Sequence, residues 1–568
     1  MSDEAAEAQV DPACEPVSLD RRHGLDALRA VAMLLGIGLH AALSYTTFPL
    51  WPVHDSKTHS FFDIFFFGIH GFRMHLFFML SGFFVAMLWR KRGIGGLLKH
   101  RSKRIVLPLV VFLIPVNVAM VIAFVGTSIF ERDDRESLTG VWAAARDNDT
   151  DALKTHLDQM DDLGELDPTH HLAALNWAAI GGSVDAVGLL LDRGADINAR
   201  SKDEATALLQ AAFMGRDEVV ALLIERGAEI NPVSMFRHTP MDAAELNWGI
   251  VQWIAGDLDV TVNHASFEAG RKKTIELLQE HGGMRKRDLD RTLAKTGRGG
   301  FAAWYRGATS AWWFHSPNVL AHLWFLWFLI VLILMFAFVA WLVTKLGLRG
   351  PPRWLILSPA WMIWLVPLTM IPQSLHGLDS PNFGADLSEG VVPLPHVLLL
   401  YAVFFFFGVL YYEADDAEGR LGRYWWLSLP VAMLLVFPIG ASLLFMPETD
   451  WVVQMVPEDW RRTTAVFLQA WFAWLMIAGS IGLFRSIASR EHRVVRYVSD
   501  SSYWLYIAHL PLLFVAQAIA KPWDVSPFVK FAFVCVSVTI VLLIVYEYVV
   551  RYTWIGTMLN GKHVRGEA

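Results

Sequence analysis

The sequence predicts an all-α protein: a polytopic transmembrane helical bundle of about ten spans, interrupted by one soluble helical solenoid. Three observations support this fold class. Hydrophobic residues form 54% of the chain and charged residues only 18%, which lies outside the average for soluble proteins. Ten apolar runs come close to the roughly 20 residues that cross a bilayer as a helix. A long polar stretch between the third and fourth runs repeats itself every 33 residues.

The apolar runs divide the chain into two membrane parts around this polar stretch. We predict a polar tail at residues 1–24, spans 1 to 3 within 25–130, an insert at 131–300, spans 4 to 10 within 301–552 and a second tail at 553–568. The predicted spans are Ala27–Tyr45, Met74–Trp89, Ile105–Thr127, His322–Thr344, Trp354–Ile371, Pro395–Tyr412, Trp425–Phe445, Ala465–Phe484, Ser502–Ala520 and Phe528–Val550.

Basic residues determine the expected orientation of the spans, because cytoplasmic loops carry an excess of Lys and Arg. One set of alternate loops contains the clusters Arg90–Arg104 and Arg485–Arg496, whereas loop Pro372–Pro393 of the other set has no Lys or Arg. We therefore expect a bacterial inner-membrane protein with both termini in the cytoplasm and the insert on the outer side. The acidic residues concentrate in the insert and the net charge is −7, which argues against a nucleic-acid partner.

The insert carries a repeated pattern with a fixed period. Ala178-Ala179 recurs as Ala211-Ala212, and Gly194-Ala195-Asp196 recurs as Gly227-Ala228-Glu229, in each case 33 residues later. This pattern resembles the ankyrin repeat. The resemblance implies helix pairs that bury their apolar faces against one another in a stack. It also implies a protein ligand, whose identity the repeats do not specify.

The first span contains two ionisable residues, Arg29 and His40, in an otherwise apolar run. Eleven residues at about 100° each bring them within roughly 20° of one helix face and about 16 Å apart along the axis. Ionisable groups in a span are costly and usually face a polar cavity, so we expect a functional role. The alternatives are that Arg29 snorkels to the headgroups and that His40 is a hydrogen-bonded core histidine.

Five segments, in order along the chain, resemble the acyltransferase-3 family of membrane acyltransferases. The resemblance covers nearly all of the chain except the insert, which departs from the short outer loop usual in the family. The His322 segment is typical of the branch that succinylates periplasmic glucans. The five segments are the Arg29-to-His40 spacing, His75–Phe84, Arg101–Arg104, His322–Leu326 and Ser502–His509.

The resemblance implies transfer of a succinyl or acetyl group from a cytoplasmic acyl-CoA, as co-substrate and not as a bound cofactor, to a hydroxyl of an extracytoplasmic glycan. We expect His40 to be the general base or to form an acyl-histidine. Arg29 is expected to bind the donor or to stabilise the thioester oxyanion. Arg101 and Arg104, at i and i+3 of one helix face, are expected to bind donor phosphates. The expected acceptor-side or network residues are Arg73, His75, His322 and His509.

Other chemistries lack a motif in this sequence. No His/Cys cluster has metal-ligand spacing, and no phosphate-binding glycine loop or Gly-x-Ser-x-Gly elbow is present, so we expect no metal centre. We expect Ser81 and Gly82 to permit close helix contact. Two other functions stay open. One is a transporter or exporter whose Arg and His residues line a permeation route, and the other is a docking protein that uses the repeats on a degenerate membrane core.

Overall fold

The computed structural model describes residues 23–48, 51–130, 138–160, 162–168, 170–295, 300–309, 320–378, 381–388, 390–447, 449–488 and 492–561. Across these ranges the protein is helical, and β-type pairing is limited to one isolated bridge between Leu166 and Ala173. The predicted all-α class is confirmed.

The first three predicted spans fold as apolar helices. Two helical stretches here are long and apolar enough to cross a membrane, His23–Tyr45 and Ser60–Thr127, and the second contains predicted spans 2 and 3. Gly93 divides this stretch, because its φ of +67° lies in the left-handed region that ends an α-helix. A π turn at Ser102–Val106 leads into the third span. The helices are α1 His23–Ala42, α2 Ser60–His70, α3 Arg73–Arg101 and α4 Leu107–Phe130.

The insert folds as a stack of helix pairs, as its period predicts. Its helices are α5 Gly140–Arg146, α6 Thr150–Leu157, α7 Ala174–Gly181, α8 Val184–Asp192, α9 Ala207–Phe213, α10 Asp217–Glu225, α11 Pro240–Ala244, α12 Trp248–Asp257, α13 His264–Glu280 and α14 Lys286–Lys295. The helices α5, α7, α9 and α11 pack in one row, and α6, α8 and α10 pack in a second. In the last unit α13 packs against both α10 and α11. Helix α12 is therefore an addition to the two-helix pattern.

The seven later predicted spans form six full-length apolar stretches and one broken one. Predicted span Trp354–Ile371 divides at Ser358, which has extended backbone (φ −99°, ψ 163°), because the following Pro359 disfavours a helical conformation. The count of ten spans is therefore approximate. The helices are α15 Gly300–Thr309, α16 Trp324–Leu346, α17 Arg353–Leu357, α18 Trp361–Gln373, α19 Pro395–Glu413, α20 Trp425–Val431, α21 Phe437–Phe445, α22 Trp451–Met455, α23 Glu458–Ile487, α24 Arg493–Ala520, α25 Pro527–Val545 and α26 Trp554–Asn560.

Helices α3 and α19 approach each other closely at two glycines. A Cβ atom at Gly82 would lie 1.8 Å from the Phe405 carbonyl oxygen, and one at Gly408 would lie 1.9 Å from the Met79 carbonyl oxygen. Small residues allow such backbone contact between membrane helices. The expected role of Gly82 in close helix packing is confirmed.

The two ends of α19 identify the two ends of the bundle. Its last residue, Glu413, forms an ion pair with Arg90 of the predicted cytoplasmic cluster. Near its start, His396 Nδ1 lies 2.8 Å from the hydroxyl of Tyr305 in α15, the helix that follows the insert. We call these the basic end and the insert end. Which compartment each end faces remains a prediction from the basic residues.

A buried ion pair fixes the loop between α1 and α2 at the insert end. Lys530 Nζ lies 2.7 Å from Asp55 Oδ2, and neither residue is more than 2% exposed. Breaking a buried pair leaves an uncompensated charge, which typically costs about 3–5 kcal/mol. The pair therefore holds this loop firmly against the start of α25.

We predict that Gly82→Ala destabilises the bundle, because the added methyl group would overlap a backbone carbonyl that cannot move independently of α19. Overpacking of this kind costs about 1–3 kcal/mol. The measurement is the thermal midpoint of the purified protein in detergent. Gly95→Ala is the matched control, since nothing lies within 4 Å of a Cβ at that glycine of the same helix. Equal midpoints for the two variants would contradict the close contact.

Candidate active site

Three histidines from separate elements meet toward the insert end of the bundle. The ring centroid of His40 in α1 lies 5.4 Å from that of His509 in α24. The His509 ring lies 5.3 Å from the ring of His322, which belongs to a short 3₁₀ turn before α16. The sequence suggested these residues one at a time, and the structure brings them together as one cluster.

Backbone carbonyls fix the tautomers of two of these rings. His322 Nε2 donates to the Ile507 carbonyl at 3.0 Å, and His509 Nδ1 donates to the Tyr506 carbonyl at 2.9 Å. In a neutral imidazole the other nitrogen is then an acceptor. These acceptors, together with His40 Nδ1, are buried and have no hydrogen-bond partner among the described residues. The cluster therefore presents nitrogens that can accept a proton from a bound hydroxyl.

Trp51 and Gln517 hold His40 in place. The Trp51 indole stacks on the His40 ring with centroids 5.6 Å apart, and its Nε1 donates to Gln517 Oε1 at 2.8 Å. Gln517 Nε2 in turn donates to the His40 carbonyl at 3.1 Å. Sequence reasoning missed both residues. A buried amide within a span was an available signal for Gln517, whereas nothing in the sequence distinguishes Trp51 from an interfacial tryptophan.

Arg73 supplies a cation beside the histidine cluster. Its guanidinium occupies the space at Gly36 of α1, where a Cβ atom would lie 2.0 Å from Arg73 Nη1. It is close enough to His40 and His509 to interact with both electrostatically, and its buried Nε has no partner among the described residues. The absence of a side chain at Gly36 is what admits this charge.

A second cationic cluster lies at the basic end. Arg29 Nη2 donates to Ser499 Oγ at 2.7 Å and lies 3.6 Å from an Asp26 oxygen. Arg101 interacts electrostatically with both Arg29 and Tyr503, and its buried Nε has no partner among the described residues. Arg29 therefore lies beside Arg101 and not beside His40.

The expected shared helix face of Arg101 and Arg104 does not hold. Arg104 lies in the π turn Ser102–Val106, where each residue turns through a smaller angle than in an α-helix. Its Nη1 donates to the Met558 carbonyl at 3.3 Å, whereas Arg101 interacts electrostatically with Arg29. Both arginines still border Tyr503, whose hydroxyl donates to the Arg104 carbonyl at 2.9 Å.

One face of α24 joins the two clusters. Ser499, Tyr503, Tyr506 and His509 are spaced three or four residues apart, which places them on one side of a helix and over about 15 Å of its length. Ser499 binds Arg29, and the Tyr506 hydroxyl donates to the His322 carbonyl at 2.6 Å. We call these four residues the polar ladder. It runs through the bundle between the basic cluster and the histidines.

His75 does not join the histidine cluster. Its ring packs edge-on against Phe404, with centroids 4.7 Å apart, and against Tyr401 at 5.6 Å. The residue is 2% exposed and lies in the aromatic core between α3 and α19. Among the described residues no ring contact joins His75 to His40, His322 or His509, and its acceptor-side or network role stays a prediction.

A further cluster that the sequence did not signal lies in the loop between α18 and α19. Candidate ligand atoms of His376, Asp386 and His396 lie within 4.8 Å of one another. The Asp386 backbone N–H donates to His376 Nδ1 at 2.8 Å, and the Tyr305 hydroxyl engages His396 Nδ1. His396 Nε2 also lies 3.4 Å from Asp386 Oδ2, whereas His376 Nε2 is buried without a partner among the described residues. The hydrogen bonds of this cluster organise the loop.

The charge state of Asp386 follows from these neighbours. Burial alone would raise its pKa, but the hydrogen bond from His396 and the neighbouring His376 outweigh burial and lower the pKa of Asp386 to about 2. Burial lowers the pKa of His376 to about 3. At neutral pH the loop thus contains a carboxylate beside a neutral imidazole.

Comparison with known families assigns both parts of the chain. A model of an acyltransferase domain matches residues 22–158 and 287–547, which is more than half of the chain and includes the three clustered histidines. A model of ankyrin repeats in three copies matches residues 141–234. The predicted repeats are confirmed.

Curated relatives match a shorter part. The chain is 37% identical over 94 residues to Glucans biosynthesis protein C of Escherichia coli strain SMS-3-5, an alignment that covers 16% of this chain and 24% of that protein. It is 36% identical over 94 residues, with the same coverage, to the protein of that name from the Crooks strain. The chain thus spans about a quarter of the length of these relatives.

Proposed function

This chain belongs to the acyltransferase-3 family of membrane acyltransferases, and on that premise we propose that it moves an acyl group from a cytoplasmic acyl-CoA to a hydroxyl of an extracytoplasmic glycan. The observation that carries the proposal is the cluster of His40, His322 and His509, connected by the polar ladder to a cationic cluster at the other end. A transfer between two compartments requires a site that is reached from both sides.

The basic end supports binding of the donor. Arg29 and Arg101 place two guanidinium groups together, and guanidinium binds phosphate through paired, charge-assisted hydrogen bonds. The CoA phosphates would lie there. The long pantetheine arm would follow the polar ladder, so that the thioester reaches the histidines.

The histidine cluster supports the chemical step. His40 accepts the proton of the acceptor hydroxyl as its oxygen attacks the thioester carbonyl carbon. The C–S bond then breaks, and the same proton passes to the CoA thiolate. The alternative is attack by a His40 ring nitrogen: a C–N bond forms as the C–S bond breaks, and the acceptor oxygen then displaces the histidine while its proton passes to the CoA thiolate.

Arg73 is better placed than Arg29 to stabilise the developing oxyanion. Its guanidinium lies against α1 at Gly36 and interacts with His40, whereas Arg29 is bonded to Ser499. A fixed cation beside the reacting carbonyl lowers the energy of the transition state. We therefore transfer the proposed oxyanion role from Arg29 to Arg73 and keep Arg29 as a donor-binding residue.

The relatives and the distribution of basic residues supply the proposed acceptor and compartments. The relatives are named for glucan biosynthesis, which favours a glucan-like acceptor, and the succinyl or acetyl donor rests on the family resemblance of the sequence. The basic end carries the cytoplasmic type of loop. We propose an inner-membrane location with the termini inside and the insert outside. The terminal residues 1–22 and 562–568 lie outside the described residues.

We predict that His40→Ala reduces acyl transfer at least about 100-fold, as expected for loss of a general base, with unchanged protein level. The measurement is transfer of a labelled acyl group from acyl-CoA to a glucan by the purified protein. His75→Gln is the control, because that histidine is buried away from the cluster. Full activity in His40→Ala would end the assignment. A wild-type protein that moves solutes but consumes no acyl-CoA would favour a transporter.

We predict that Arg101→Gln raises the KM for acyl-CoA by about 10- to 100-fold, the cost of one charge-assisted hydrogen bond, while the KM for the acceptor stays the same. Steady-state kinetics with each substrate varied in turn measures both constants. Lys103→Gln is the matched control, since it removes a charge from the same turn but its side chain is exposed. Equal donor KM values for the two variants would argue against the donor site.

A further inference from the structure

A large chamber lies between the insert and the insert end of the bundle. Its volume is about 2660 Å³, and its lining includes Trp51, Ile507 and Pro511 of the membrane part together with Gln210 and Phe236 of the insert. Trp51 also stacks on His40. The chamber therefore reaches Trp51, the residue in ring contact with His40, and ends on the repeats, while the three clustered histidines lie behind its lining.

Specific contacts hold the insert over this end. Helix α14 packs along α15, and Arg306 Nη1 of α15 donates to the Leu378 carbonyl of the loop between α18 and α19 at 3.3 Å. Tyr305 bonds His396 at the start of α19. Between the insert and the bundle, Lys202 of the insert interacts electrostatically with Asp63 of α2. The repeats are thus fixed to the outer surface of the bundle.

The lining has the chemistry of a site for neutral sugars. Gln210 is 8% exposed, and its Oε1 has no hydrogen-bond partner among the described residues. Phe236 is 52% exposed although it is a large aromatic side chain. The membrane wall adds Trp504 and Trp523. Aromatic faces and amide groups suit the apolar faces and hydroxyls of sugar rings.

The charges of the chamber favour a neutral ligand over a polyanion. Its lining holds five Lys or Arg and four Asp residues, and three of the cations are paired within the lining, Lys530 with Asp55, Lys57 with Asp524 and Arg146 with Asp259. The volume also exceeds the roughly 300–1,000 Å³ of pockets for small molecules. A chain of several sugar units fits this size, whereas a single sugar would leave most of the chamber unfilled.

We propose that the repeat insert forms the far wall of an acceptor chamber and binds the part of the glycan distant from the reacting hydroxyl. This inference rests on the proposed acyl transfer and adds a binding site to it. One hydroxyl passes Trp51 to reach His40, while Gln210 and Phe236 bind sugar units further along the glycan. The insert thereby selects oligosaccharides over monosaccharides.

The test uses the full-length protein in nanodiscs and two probes, a neutral linear glucose oligosaccharide and glucose. Phe236→Ala and Gln210→Leu should weaken oligosaccharide binding by about five- to tenfold, as expected for loss of one ring contact or one hydrogen bond. The KM for glucose as acceptor and the hydrolysis of acyl-CoA should not change. Arg226→Ala is the control in the insert, because Arg226 pairs with Asp192 away from the chamber.

The outcomes separate this inference from the proposed function. Transfer by the wild type, with equal oligosaccharide binding in all variants, would overturn the inference and leave the function intact. Insert-dependent oligosaccharide binding without any acyl transfer would support the binding site while the proposed function fails. A wild type that binds no oligosaccharide would overturn the inference directly. Phe236 is exposed, so its substitution tests binding even where Gln210→Leu disturbs folding.

Discussion

The packing of α1 against α24 is the constraint on which the rest of the structure depends. It sets Arg29 against Ser499 at the basic end and His40 against His509 toward the insert end. Because both residues of α1 face the polar ladder and not the lipid, two groups that would be costly in hydrocarbon become tolerable. The other site residues contact this interface between α1 and α24. His322 reaches it through the Ile507 carbonyl of α24, and Arg73 enters through the space at Gly36 of α1.

Several site residues carry buried polar atoms that have no partner among the described residues, as Asn176 and Thr274 of the insert also do. An unpaired buried donor or acceptor costs about 1–3 kcal/mol, yet nitrogens of His40, Arg73 and Arg101 lack partners among the described residues. The surrounding bundle compensates with close packing such as that at Gly82. Polar groups that are held in place before substrate binds need no rearrangement when charge develops.

The sequence was sufficient to predict the features that depend on local residue patterns. Helical periodicity put Arg29 and His40 on one face, the 33-residue period gave the stack, and the family resemblance supplied His322 and His509. Features that depend on packing could not be predicted. Because of the π turn, Arg101 and Arg104 do not share one helix face. His75 lies in an aromatic core, and Trp51, which stacks on His40, lies in a loop. The break at Ser358 follows from Pro359, which the apolar length of that run concealed. His376 and His396 meet only because the loop folds back.

The most direct test of the account is the position of a bound donor. A structure of the full-length protein in nanodiscs with a non-hydrolysable acyl-CoA analogue would locate it. The account predicts that the CoA phosphates lie at Arg29 and Arg101 and that the acyl carbon lies beside His40. The pantetheine arm would then lie along the polar ladder of α24. Phosphates bound elsewhere, or a dry and closed interior between Ser499 and His509, would contradict the claim that a passage along the α1–α24 interface connects the two sides of the membrane.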